Sequence, residues 1–146
     1  MDLSSVPTKA AAPDVSTLVL HAIRDGGELE LGVPNTEYRL HLACEGDPAR
    51  LAPHPASRRV RGTIHGRALK LSKAAGGGKF IEPLWGHPRI VQGAVLAADA
   101  AGNRLLVDLA VPAWLTLEEG QSTAEFPRGT LVNMYLASGM TFRPAG

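Results

Sequence analysis

The chain contains very little cysteine and few aromatic residues. Cys44 is the single cysteine among 146 residues, so no disulfide can form within the chain. Aromatic residues make up only 5% of the sequence, so the core must consist mainly of Val, Leu, Ile and Ala. These scarcities exclude a small disulfide-rich scaffold. A chain of this length can bury enough aliphatic surface to fold without metals or disulfides.

Long apolar runs are also missing. The best run, 105–115, is interrupted by Asp108 and Pro112, and it falls short of the roughly 20 residues that a membrane helix needs. Near the start of the chain, Asp2 stands where a secretory signal would carry positive charge, and no apolar segment of about 7–15 residues follows it. We therefore expect no membrane partner and a cytoplasmic location.

Glycine and proline are abundant, with 16 and 11 residues, and they favour short elements joined by turns. Between the turns, the segments are either short and apolar or alternate between apolar and polar residues, as strands do. Almost no segment has helical periodicity, so the sequence predicts an all-β fold. The predicted strands are 17–23, 28–31, 38–42, 58–72, 90–98, 104–111, 115–117, 130–136 and 140–142.

These strands predict one domain preceded by a loose tail. We expect a disordered tail over residues 1–14 and a single β-barrel domain over 15–146, with no internal sequence repeat. Within the domain, 15–45 is predicted to form a β-hairpin extension and 58–142 the barrel core. The order of long strand, loop, hairpin and closing strand in the core resembles that of an OB-fold. This resemblance implies a small closed or partly open, OB-like barrel.

The longest predicted strand, 58–72, changes its inward face part-way along. Apolar residues first occupy even positions, including Val60 and Ile64, and then odd positions, Leu69 and Leu71. A strand cannot change faces without an additional residue or a sharp bend. The sequence therefore predicts a β-bulge at Gly66.

Charge is distributed very unevenly along the chain. The segment from Arg50 to Lys79 contains eight basic and no acidic residues, although the whole chain carries only +1. Arginine side chains can bind phosphates and carboxylates through paired hydrogen bonds, so this segment is a candidate anion-binding surface. The polar face of the long strand carries Arg59, Arg61, Thr63, His65 and Arg67. The predicted ligand-binding site is completed by Lys70, Lys73, Lys79 and Trp85.

The basic face predicts a non-enzymatic binding module for an extended anion. Single-stranded nucleic acid is the first candidate ligand, and an acidic protein partner is another. The same arginines also fit an ordinary solvated surface, paired with Glu28, Glu30 and Glu37 at about 0–1 kcal/mol per exposed pair. The pI of 8.0 lies below the value of about 9 that is usual for a nucleic-acid-binding domain.

Two other classes of function stay open. The first is a structural or assembly protein that forms homo-oligomers through strand edges and through the segments containing Trp85 and Trp114. The second is a small enzyme of unknown reaction that uses Cys44 with His41. The glycine-rich segment 76–79 does not open a helix and carries no Lys-Ser/Thr pair, so it is no phosphate loop.

The sequence suggests neither a cofactor nor a metal site. Its histidines are scattered, and no pair of cysteines or histidines has the spacing of zinc ligands. A contact between His41 and His65 is conceivable, since both could face outward from neighbouring strands. The sequence indicates no catalytic residues, since no nucleophile has a base at a spacing typical of hydrolases.

Overall fold

The computed structural model describes residues 13–145. Residues 1–12, which make up most of the predicted disordered tail, lie outside the described part, as does residue 146. Eleven strands form a single sheet. They are β1 (Ser16–Ile23), β2 (Leu29–Gly32), β3 (Arg39–Cys44), β4 (Arg59–Lys73), β5 (Phe80–Glu82), β6 (Trp85–Gly86), β7 (Ile90–Asp99), β8 (Arg104–Asp108), β9 (Pro112–Thr116), β10 (Leu131–Leu136) and β11 (Thr141–Pro144).

Among residues 13–145, helical structure is confined to short 3-10 turns. They comprise Asp25–Gly27, Pro48–Arg50 and Thr123–Glu125. The last turn begins with a capping box. The Ser122 side chain accepts hydrogen bonds from backbone N–H groups of the turn, and Glu125 Oε2 accepts one from the Ser122 N–H. No helix within residues 13–145 has the length and apolar character needed to cross a bilayer.

The sheet closes on itself twice. One ring of hydrogen-bonded strands runs β1-β2-β3-β11-β4 and returns from β4 to β1. A second ring runs β4-β10-β7-β8-β9 and returns from β9 to β4. All pairings in these two rings are antiparallel except β3 with β11 and β4 with β9. The predicted all-β fold, with a sheet that is at least partly closed, is therefore confirmed.

The 15-residue strand β4 belongs to both rings. Its residues 59–62 pair with β1 and its residues 62–65 pair with β11, so this part lies in the first ring. Further along, residues 65–67 pair with β9 and residues 68–73 pair with β10. Because β4 is long, it can belong to both rings, with its residues 59–65 paired in the first and its residues 65–73 paired in the second.

The connections of the two halves of the chain follow one pattern. Each half has a three-stranded antiparallel unit, β1–β3 or β7–β9, followed by β4 in the first half and by β10 and β11 in the second. In each case the following segment first pairs with its own unit and then pairs, in parallel, with the third strand of the other unit. The strands β1–β3, predicted to be a hairpin extension, are thus hydrogen-bonded into the same sheet as the rest.

Alternation along the strands places the aliphatic side chains in one continuous core. In β2 and β3, for example, Leu29, Leu31, Leu40 and Leu42 are buried while the residues between them are partly exposed. Phe142 of β11 is also fully buried in this cluster. Both halves of the chain contribute to the core, in line with the strand pairing.

The bulge in β4 lies at Lys70, and the prediction that placed it at Gly66 is wrong. The pairing of β4 with β10 shifts between Leu69 opposite Tyr135 and Ser72 opposite Asn133. Lys70 has a φ of 55°, in the left-handed region that most side chains avoid. Its backbone N–H donates to Glu118 Oε1 at 2.6 Å, which holds the extra residue in place.

The prediction failed because the inward residue just before the bulge is small. Ala68 is 1% exposed and continues the even-numbered inward face, whereas the sequence pattern took Leu69 as the inward residue. Gly66 has a packing role instead. A Cβ atom added there would lie 3.0 Å from Met140 Cε, so this position lies directly against the Met140 side chain.

Candidate functional site

The five residues predicted to form the basic face share the outer side of β4. Their neighbours along the strand, Val60, Gly62 and Ile64, are buried, so the intervening side chains point away from the core. The arginines are exposed, while the two residues in the middle of the face are half-buried. The face consists of Arg59, Arg61, Thr63, His65 and Arg67.

The arginines of this face are not neutralised by carboxylates of residues 13–145. Seven ion pairs occur among the described residues, and none includes Arg59, Arg61 or Arg67. Of the glutamates considered as their partners, Glu28 contacts Arg24 and His87, and Glu30 contacts Arg39 and His41. The third, Glu37, is in none of the seven ion pairs.

One end of the basic face borders an open groove of about 450 Å³. Arg59 and Arg61 line it together with Arg50 and His54, and the remaining lining residues are apolar. No aspartate or glutamate of the described residues lines this groove. The groove is therefore a positively charged depression at the start of β4.

The middle of the basic face is polar and nearly neutral. Thr63 Oγ1 and His65 Nε2 are 2.7 Å apart and share a hydrogen bond. Partial burial and the nearby positive charge of Arg143 lower the pKa of His65 below its usual value of 6.5, so its ring is mostly uncharged at neutral pH. His65 can accept or donate a hydrogen bond here, but it adds little positive charge.

The lowered pKa of His65 predicts a loss of stability in mild acid. As the pH falls below 6.5, unfolded His65 takes up a proton before folded His65 does, so the free energy of unfolding decreases. The decrease stops once the pH is below the folded pKa as well. His65→Gln should remove this component. Urea unfolding at about pH 7.5 and about pH 5 measures it, and an equal acid loss in both proteins would contradict the prediction.

The predicted lysines lie beyond the basic face, and their surroundings differ. Lys70 and Lys73 are exposed in the last part of β4, and Lys70 Nζ lies 5.8 Å from the centre of the Tyr135 ring. Lys79 is not available in the same way, because its Nζ atom pairs with Asp108 Oδ2 at 3.0 Å. The positive surface therefore ends near Lys70, Lys73 and Tyr135.

Trp85 does not lie beside the basic face. It belongs to β6, which pairs with β3, and two strands, β3 and β11, stand between β6 and β4. The Arg39 guanidinium lies 4.8 Å from the Trp85 ring centre. The aromatic residue next to the face is Trp114 of β9, which is directly opposite His65. The Arg104 guanidinium lies 4.3 Å from the centre of the Trp114 ring.

A second group of polar side chains lies on the outer side of β3. The parallel pairing of β6 with β3 sets Leu40 opposite Gly86, so the next residues, His41 and His87, are brought together. Their rings are 5.5 Å apart and nearly perpendicular. On the other edge of β3, Glu28 precedes β2, and its Oε2 atom lies 2.5 Å from His87 Nε2.

These three side chains border a cleft of about 330 Å³. One ligand atom from each of Glu28, His41 and His87 lies within 4.8 Å of the other two. Burial alone would raise the pKa of Glu28, but its hydrogen bond to His87 and the charges of His87 and Arg24 outweigh that effect and lower the pKa. The carboxylate is therefore ionised and aimed at the two imidazoles.

No protein-family model, curated protein or solved structure matches the chain.

The cluster of Glu28, His41 and His87 could hardly be predicted from the sequence. The three residues are far apart in sequence and have no standard ligand spacing. The available signal is that His41 is polar within an alternating strand and so faces outward. The histidine contact considered from sequence, between His41 and His65, is not the one formed, because His65 bonds Thr63.

The surroundings of Cys44 weigh against the proposed thiol chemistry. Burial, together with the negative charges of Asp47 and Glu45, raises the pKa of the Cys44 thiol, so the thiolate is harder to form. Its Sγ atom instead lies 3.7 Å from the Glu45 carbonyl oxygen, to which it donates. A nucleophilic cysteine needs the opposite environment, with a positive charge nearby.

Proposed function

We propose that the protein is a non-enzymatic binding module for an extended anionic ligand, with single-stranded nucleic acid as the first candidate. The ligand lies along the outer side of β4, from the groove at Arg59 and Arg61 towards Arg67. The observation that carries this proposal is that these three exposed arginines have no carboxylate partner among residues 13–145.

The dimensions and chemistry of the face suit a chain-like anion. Positions 59 to 67 span about 26 Å at roughly 3.3 Å per residue, long enough for several successive negative groups. Arginine is suited to each of these groups because its planar donors match phosphate oxygens. Between the charges, Thr63 and His65 offer neutral hydrogen-bonding groups. Exposed Tyr135 stands near the far end, where stacking on a base contributes about 1–3 kcal/mol.

An OB-like barrel is also part of the proposal, but in other strands than the sequence resemblance suggested. The ring β1-β2-β3-β11-β4 has five strands, with β3 and β11 parallel, and this arrangement supports an OB-like barrel. The ring includes β1–β3, which were predicted to be a hairpin extension, and leaves out β7–β10 of the predicted core 58–142. Barrels of that kind commonly bind oligonucleotides on the face of their second and third strands, so the binding along β4 is supported by its unpaired arginines and not by this likeness.

Charge reversal on β4 tests the proposal. The variant carrying both Arg59→Glu and Arg61→Glu is expected to bind a fluorescein-labelled oligothymidylate at least tenfold more weakly, because two attractions become repulsions. Fluorescence anisotropy at several salt concentrations provides the affinities. For the unmodified protein, the logarithm of the affinity should fall with the logarithm of the salt concentration, with a slope of about −0.7 per contacted phosphate.

The matched control reverses one unpaired charge away from β4 and is compared with Arg59→Glu alone. Arg128→Glu changes an exposed arginine that forms none of the seven ion pairs, and it should keep affinity within about threefold of the unmodified protein, the screening expected of distant charges. Full retention of binding by the double variant of β4, or an equal loss in Arg59→Glu and Arg128→Glu, rules out the face. Binding of polyglutamate without binding of oligothymidylate would point to an acidic protein partner.

A second candidate function is self-association through the segment that contains β5 and β6. Among the described strands, these two each have a single hydrogen-bonding partner, whereas every other strand pairs with at least two. Between and within them, Leu84 and Trp85 are 47% and 60% exposed. Size-exclusion chromatography with light scattering distinguishes the candidates. A discrete oligomer indifferent to oligothymidylate supports assembly, and a monomer that binds it supports the basic face.

A further inference from the structure

We propose that Glu28, His41 and His87 form a binding site for one divalent transition-metal ion, with Zn²⁺ as the representative ion. The three side chains each offer one ligand atom, and these atoms lie within 4.8 Å of one another. None of the three residues belongs to the basic face, so this site stands independently of the proposed function.

The chemistry of the ligand set fits this class of ion. Imidazole nitrogen and carboxylate oxygen both bind Zn²⁺ at about 2.0–2.2 Å. Two histidines with one glutamate are a ligand set that leaves at least one coordination position open for water or another molecule. Without an ion, Glu28 Oε2 and His87 Nε2 share a hydrogen bond, so the carboxylate that would bind a cation already lies beside one of the two imidazoles.

The orientation of His41 is supported from outside the cluster. Glu30 Oε1 lies 3.5 Å from His41 Nε2, and Glu30 is itself held by a 3.0 Å hydrogen bond from Arg39 Nη1. A carboxylate next to a histidine ligand commonly fixes its ring orientation and raises its basicity. His41 is also the least exposed of the three ligands, since it lies in the middle of β3. The site thus has one largely buried ligand, His41, and one exposed ligand, His87.

The cleft beside the cluster indicates what an open coordination position would face. Much of the lining is apolar, including Pro88, Leu136 and Met140, and its volume of about 330 Å³ suits a small molecule. Arg89 also borders the cleft and is the one arginine or lysine of its lining. A ligand with a carboxylate or phosphate group could therefore contact both the ion and Arg89. We assign a small anionic molecule as the class of ligand that this cleft would accept.

Zinc titration of the full chain, prepared without an affinity tag and treated with a chelator beforehand, tests the metal site. Isothermal titration calorimetry is expected to give one ion per chain with micromolar or tighter affinity. His87→Ala should weaken binding at least tenfold because it removes one of the three ligands. His87 is 63% exposed in a loop, so its truncation leaves the core intact, and circular dichroism can verify this.

His21→Ala is the matched control, because His21 is exposed and lies outside the cluster. It should bind zinc as the unmodified protein does, while Glu28→Gln should lose affinity as His87→Ala does. Cobalt(II) provides a second readout, since a low-coordinate site gives strong visible absorption that His87→Ala abolishes. Absence of stoichiometric zinc binding, or unchanged affinity in His87→Ala and Glu28→Gln, overturns the proposal.

Discussion

Replacement of Gly93 by alanine is expected to prevent the chain from reaching its native fold. Gly93 lies in β7, and a Cβ atom added there would overlap the backbone carbonyl oxygen of Asp108 and lie 2.8 Å from the carbonyl carbon. These are backbone atoms at the end of β8, which pairs with both β7 and β9. These atoms cannot move aside without loss of strand pairing in the second ring, so the overlap cannot be relieved while the native sheet is kept.

Circular dichroism and thermal unfolding measure this effect, and the chain offers a matched control. Gly76 is in a loop, where a Cβ atom would have no neighbour within 4 Å and φ is not in the left-handed region. Gly76→Ala should therefore leave the thermal midpoint within a few degrees of the original. A cooperative, native-like unfolding transition for Gly93→Ala would show that the close approach of β8 to β7 is wrong.

Truncation of Phe142 is expected to cause the second large effect, a loss of about 3–5 kcal/mol in the free energy of unfolding. Phe142 is the largest fully buried side chain in the core. It lies in β11, which closes the first ring of strands between β3 and β4. The phenyl group packs against Gly62 and fills the space that a Cβ atom at that position would need. Phe142→Ala therefore leaves a cavity between β11 and β4, the strand that belongs to both rings.

Urea unfolding gives the stability change, and Tyr135→Ala provides an aromatic control. Tyr135 is 50% exposed on β10, so its removal should cost less than about 1 kcal/mol. Phe142→Leu, which keeps most of the apolar volume, should lie between these two variants. Similar losses for Phe142→Ala and Tyr135→Ala would contradict the placement of Phe142 in the core.

The strands could be predicted because their signals are local. Alternation of apolar and polar residues identified β2 and β3, with Leu40 and Leu42 correctly facing inward. Glycine-containing turns identified the hairpins, and β1 indeed pairs with β2, as β7 does with β8. The exceptions follow the same rule. The change of face in β4 was misplaced because Ala68 is too small to register as an inward residue in the pattern. The short strands β5 and β6 were not predicted, because prolines interrupt their apolar segment.

Partners distant in sequence could not be predicted, and this limits what the sequence says about the site. The outer face of Arg59, Arg61 and Arg67 follows from alternation within one strand. Whether Trp85 or Trp114 lies beside that face depends on pairing across the sheet, and only Trp114 is next to it. The approach of His87 to His41 depends likewise on the parallel register of β6 with β3, for which no residue pattern exists.

The exchange of strands between the two halves has a consequence for synthesis on the ribosome. The first ring needs β11, so a nascent chain that has produced β1 to β4 still lacks the strand that completes it. The second ring needs β4, which then waits for β7 to β10. The second ring is therefore complete only after β10 ends at Leu136, and the first ring only after β11 has been made. Long-range pairing of this kind favours slow, concerted maturation late in translation over stepwise maturation of each half.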